Sequence, residues 1–136
     1  MVKRIYLDFD GVFHIYPKSV YKNNVLRNFK PTEIVGTIVP GAIGFLEDLL
    51  FKIVDTDYEV NIFSGRSFSW GGRTAMKNWL IEQGLLKDLV KYIKFPLIKK
   101  PVHVIMDDRA ISFTGTFPEI KELLNFKPWT YRGGKK

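Results

Sequence analysis

The chain of 136 residues contains no cysteine. Disulfides, thiolate-held metals and a cysteine nucleophile are therefore excluded, and side-chain metal ligands are limited to oxygen and histidine. Histidine is scarce too: the two present, His14 and His103, have no third ligand at recognisable spacing, which argues against zinc and for packing roles. No apolar run approaches the roughly 20 residues needed to cross a bilayer. The opening Met-Val-Lys-Arg-Ile-Tyr-Leu-Asp lacks the apolar stretch of a signal peptide, so a cytoplasmic protein with no membrane partner is expected. Repeats, linkers and low-complexity stretches are also missing. What is plentiful is positive charge, a formal +7, which favours anionic partners such as phosphorylated ligands or nucleic acid and also serves solubility.

A hydrophobic fraction of 46% and a charged fraction of 26% are those of an ordinary globular protein, and the length suits one domain spanning 1–136. Residues 3–9 form a short apolar run with β-branched and aromatic bias that ends at Asp10 and Gly11, the pattern of a buried first strand. From 12 to 38 the sequence mixes aromatics, lysines, asparagines and prolines without a period, which predicts an irregular excursion with a small hairpin or flap. Pro40 and Gly41 open a helical pattern in Ile43, Leu46, Leu50 and Ile53. Residues 58–64 alternate as a second strand and end at Ser64 and Gly65. Met76, Trp79 and Leu80 predict a helix over 72–83, stopped by Gly84. A short strand is expected over 89–95 and a stronger one over 102–106, running into Asp107 and Asp108. Thr116 and Glu119 have capping-box spacing ahead of a last helix, and the tail 132–136 reads as disordered. Alternating strands and helices imply an α/β fold, with a mostly parallel central sheet flanked by helices.

The chemistry-bearing residues fall at strand ends. In open α/β sheets ligands bind beyond the carboxyl ends of the strands, where loops converge. Asp8, Asp10, Ser64, Asp107 and Asp108 should therefore meet at one edge, with strand alternation placing Asp8 and Asp10 on the same side and Phe9 toward the core. Gathered carboxylates repel one another and are costly to desolvate; a hard divalent cation with oxygen ligands offsets both, and Mg2+ is the natural candidate.

Asp8-Phe9-Asp10-Gly11, Phe63-Ser64-Gly65-Arg66, Lys99-Lys100-Pro101 and Ile105-Met106-Asp107-Asp108-Arg109 follow one another in chain order. Together they resemble the motifs of the haloacid dehalogenase (HAD) superfamily of phosphotransferases: Asp-x-Asp, then Ser or Thr, then Lys, then paired acids. The resemblance implies a Rossmann-like (HAD-like) domain in which Asp8 attacks phosphorus to give an aspartyl-phosphate while Asp10 donates and later accepts a proton. It further implies metal binding by Asp8, Asp107 and the Asp10 carbonyl, assisted by Asp108, and phosphate binding by Ser64, the Gly65 amide and a lysine. Lys100 is the first choice for that lysine, before Lys99 and Lys94. Val12 stands where many phosphatases of the superfamily have Thr. The stretches 12–38 and 66–98 are too short for a cap domain, so the likeness is to a small capless member.

These readings lead to a phosphatase, a phosphoric monoester hydrolase, acting on a phosphorylated small molecule, a nucleotide or a nucleic-acid terminal phosphate, as a 3′-phosphatase does. The alternative is a non-catalytic nucleic-acid-binding module using the basic surface. A phospho-accepting receiver domain fits less well, because Ser64 occupies the place of its accepting aspartate. Arg66 and Arg73 are read as mouth or surface groups, and Tyr16, Tyr21 and Phe29 as packing aromatics able to stack on a base.

Overall fold

The structure is a computed structural model that describes residues 1–17, 21–22, 25–26 and 29–130, with backbone only at 21, 22, 25 and 26. The expected disordered tail and the side chain of Tyr21 lie outside the described residues. Four strands, β1 (Lys3–Leu7), β6 (Tyr58–Ile62), β7 (Ile93–Lys94) and β8 (Val104–Met106), form a parallel sheet in the order β7-β6-β1-β8. Helices α1 (Ala42–Ile53), α2 (Trp70–Glu82), α3 (Lys87–Val90) and α4 (Ile120–Leu124) accompany it. The result is a mixed α/β fold with a parallel four-stranded sheet flanked by helices. Between β1 and α1, β2 (His14–Ile15) pairs antiparallel with β5 (Thr37–Ile38), and β3 (Tyr21–Lys22) with β4 (Val25–Leu26).

The core explains the element positions. Leu7, Val60 and Ile62 from the strands meet Leu46 and Leu50 of α1 and Met76 and Leu80 of α2, all at 1% exposure or less. Burial of such side chains contributes about 1.5–3 kcal/mol each. The 3.6-residue stripe of α1 therefore lies inward as its sequence requires. In α2 the helix starts earlier than its apolar stripe, because the Ser69 hydroxyl caps it by accepting from the Gly72 N–H at 3.2 Å. Gly84, at φ +111°, lets the chain leave the helix.

Register then sets the site. Leu7 is paired with both Ile62 and Met106, so the residues that follow each strand emerge side by side at the carboxyl edge. The Asp8 N–H still donates to Met106 O at 2.9 Å and the Phe63 N–H to Leu7 O at 3.0 Å.

Four local expectations need correction. The first strand ends at Leu7, not at residue 9, because the Phe9 carbonyl accepts from the N–H groups of Val12, Phe13 and His14 and bends the chain into a turn. Phe9 is fully buried as expected, but Asp8 and Asp10 are no longer related by strand alternation. Residues 89–95 are half helix: buried Leu85 and Val90 belong to the turn around α3, and only Ile93 and Lys94 pair as a strand. The strand expected over 102–106 is shorter: β8 starts at Val104 and lies at the sheet edge with its three residues 42–48% exposed. The last helix forms, but without its capping box. It begins at Ile120, so Glu119 is itself the cap residue and makes no side-chain cap bond; it pairs with Lys121 at 3.3 Å. Thr116 is too far upstream to take part.

Candidate active site

At the carboxyl edge, Asp8, Asp107 and Asp108 each place a carboxylate oxygen within 4.8 Å of the others. Gly11 makes this approach feasible. Its φ of +87° suits glycine, and a Cβ there would lie 2.0 Å from Asp108 Oδ2. Asp8 is oriented by the Phe9 N–H (2.8 Å) and Asp107 by the Arg109 N–H (2.8 Å). From the far end of the chain, the Trp129 indole donates to Gly11 O at 2.6 Å and braces the same turn.

The electrostatics are those of crowded acids. Burial, a hydrogen bond to Asp108 and the negative charge of Asp107 push the Asp8 carboxyl up to about 8. Burial raises Asp108 as well, although its bond with Asp8 and the nearby Arg109 oppose this. Asp108 Oδ1 is buried with no hydrogen-bond partner among the described residues. The gathered carboxylate oxygens of Asp8, Asp107 and Asp108, together with an unpartnered buried Asp108 oxygen, form a donor set able to hold a hard divalent cation such as magnesium.

Asp10 does not join the cluster through its side chain. Its carboxylate is held by Arg66, with Nε at 3.2 Å from Oδ1 and 3.0 Å from Oδ2, and by Nη2 at 3.1 Å from Oδ1; His14 Nδ1 lies 2.9 Å from Oδ1. Burial alone would raise the Asp10 carboxyl, but the His14 and Arg66 hydrogen bonds outweigh it and hold the group below the usual carboxylate range. Arg66 is accordingly no surface group: it is 5% exposed, and it also donates to Tyr16 Oη, Pro31 O (3.0 Å) and Glu33 O (2.6 Å). One guanidinium thus fastens the segment after β1 to the turn after β6. His14, fully buried between Asp10 and Val35 O (2.7 Å), packs against Phe9 and Trp79 as a core residue. The signal for the Arg66 role was available in principle, since a half-buried aspartate behind a strand end calls for a charged partner.

Between the acids and the turn after β6 lies a cleft of about 210 Å³, bordered by Asp8, Asp107, Ser64, Gly65, Phe68 and Lys99. Gly65 opens a 3₁₀ turn (Gly65–Phe68). The Ser64 hydroxyl caps that turn, accepting from the Arg66 N–H at 3.0 Å and donating toward Met76 Sδ at 3.5 Å, so it is engaged inside the protein. Among the three lysines, Lys99 borders the cleft. Lys100 contributes its backbone N–H to Tyr6 Oη at 3.1 Å, and Lys94 is paired with Glu59 at 2.8 Å. Arg73 reaches Ser67 O at 2.6 Å, and His103 lies against the Tyr58 ring.

Scanned against protein-family models and searched against curated proteins and solved structures, the chain gives no match. No helix among the described residues is long and apolar enough to cross a membrane.

Proposed function

We propose that the chain is a HAD-like, magnesium-dependent phosphomonoesterase with Asp8 as nucleophile, and that the segment 12–38 flanks its site as a flap. The observation that carries the reading is the convergence of carboxylate oxygens from Asp8, Asp107 and Asp108, the first two of these residues bordering a cleft that also holds Lys99 and Gly65. Asp8, Asp107 and Asp108 would hold the ion. A bound magnesium supplies neutralisation of the carboxylate charge and of the phosphate dianion, which a carboxylate nucleophile otherwise repels.

The remaining chemistry belongs to the chain. An Asp8 oxygen attacks phosphorus, the ester P–O bond breaks and an aspartyl-phosphate forms. Lys99 and the Gly65 amide stabilise the phosphoryl oxygens in transit. Asp10, ionised in its contact with Arg66 and His14, then accepts a proton from water as that water attacks phosphorus, releasing phosphate and restoring Asp8. Proton donation to the leaving oxygen in the first step requires Asp10 to take up a proton against those same contacts. Poor leaving groups should therefore react more slowly than aryl phosphates.

The test is phosphate release from an aryl phosphate. Activity that requires magnesium and falls to background in Asp8→Asn is expected; full activity in Asp8→Asn removes Asp8 from the mechanism.

A further inference from the structure

Two large exposed aromatics stand out, one at the cleft and one two residues further along the chain. Phe68 borders the cleft together with Asp8, Lys99 and Asp107, yet is 70% exposed. Two residues on, Trp70 is 79% exposed and carries the Arg73 guanidinium 5.3 Å from its ring centre. An isolated exposed apolar residue on a protein surface needs no explanation. Phe68 ends the 3₁₀ turn that also contributes Gly65 to the cleft and is capped by Ser64, and Trp70 opens α2 directly after its cap Ser69. Phe63, edge-on to Phe68 at 5.9 Å, supports that ring from the protein side. Phe68 thus exposes its ring where Asp8 and Asp107 border the cleft, and Trp70 exposes its own two residues on, in a chain with a formal charge of +7.

We infer that Phe68 and Trp70, with Arg73 behind Trp70, form a ledge on which nucleobases stack when a terminal phosphate enters the Asp8 cleft, so that the substrate is the phosphorylated end of a single-stranded nucleic acid. The inference rests on the phosphomonoesterase reading for what happens to that phosphate, and on the aromatic geometry for what holds the base. Aromatic rings accept any base through its π face, while the net positive charge of the chain attracts the phosphodiester backbone. Arg73 adds its charge at the Trp70 ring.

Binding and turnover separate the two claims. In the Asp8→Asn background, fluorescence anisotropy of a labelled 3′-phosphorylated oligonucleotide should show affinity about tenfold lower for Phe68→Ala and for Trp70→Ala, with Phe68→Tyr retaining it. With active Asp8, the same alanine variants should lose about tenfold more kcat/KM on the oligonucleotide than on glycerol phosphate, chiefly through KM. Both residues are exposed, so thermal melts close to that of the parent are expected to accompany these losses. Affinity unchanged in both alanine variants, or equal losses on the two substrates, overturns the ledge. Anisotropy that depends on the aromatics in a protein that hydrolyses none of these phosphates sustains the ledge and removes the hydrolase.

Discussion

At the residue scale, Asp8 and Asp10 sit two positions apart in opposite electrostatic settings. Asp8 is raised by burial and neighbouring acids, whereas Asp10 is lowered by His14 and Arg66. Divergent environments of this kind assign different tasks to like groups. Asp10→Asn should leave the first step on an aryl phosphate intact, seen as a burst of about one equivalent of phenol, while steady-state turnover falls about 10²–10⁴-fold; a normal steady state would remove Asp10 from water activation. Gly11 makes a second residue-scale prediction. Gly11→Ala forces a side chain into Asp108 and an unfavourable φ, so a loss of about 1–3 kcal/mol in urea unfolding, with weakened magnesium binding, is expected. Acid positions were legible in the sequence because they follow apolar strand runs. The split between Asp8 and Asp10 was not, because it depends on where β1 stops and on a guanidinium more than 50 residues away, Arg66.

At the element scale, the strands and helices that carry a clear period were readable: β6 buries Val60 and Ile62, α2 buries Met76, Trp79 and Leu80, and α1 buries Leu46 and Leu50 with Ile43 and Ile53 partly buried against the core. Short elements were not. The segment around α3 has too few residues for a strand period to be told from a helical one, and α4 buries no residue at all. Caps decide where such helices begin. Ser69→Ala should cost about 1 kcal/mol by losing the bond to the Gly72 N–H. Thr116→Ala, at the capping-box position that the fold leaves unused, should stay within about 0.5 kcal/mol. Equal melting shifts in the two variants would show that α2 does not depend on its cap.

At the scale of the whole molecule, parallel pairing of β1 with β6 and β8 brings three separate segments to one edge, where those after β1 and β8 supply the acids. The edge works against the fold. Because the Asp8 carboxyl lies near 8 in the folded chain against 3.8 for the free group, the native state holds the extra proton between those values. Stability without metal should therefore decline as pH rises through that window, the full cost being reached above the folded value. Asp10 acts in the other direction, its contribution being present at neutral pH and lost as pH falls below 3.8. Calorimetric melts from pH 5 to 8 should show Tm falling without magnesium and held up with it. A flat profile in the metal-free protein would mean that the carboxylates are not coupled to folding.

Everything chemical in this reading passes through one covalent bond to Asp8. Rapid acid quench of the magnesium-loaded protein with its phosphorylated substrate, followed by mass spectrometry of the peptides, should find a phosphoryl group on the peptide containing Asp8, labile to hydroxylamine and missing in Asp8→Asn. Turnover that proceeds with no such adduct, or with the phosphoryl group on another residue, would refute an Asp8 nucleophile.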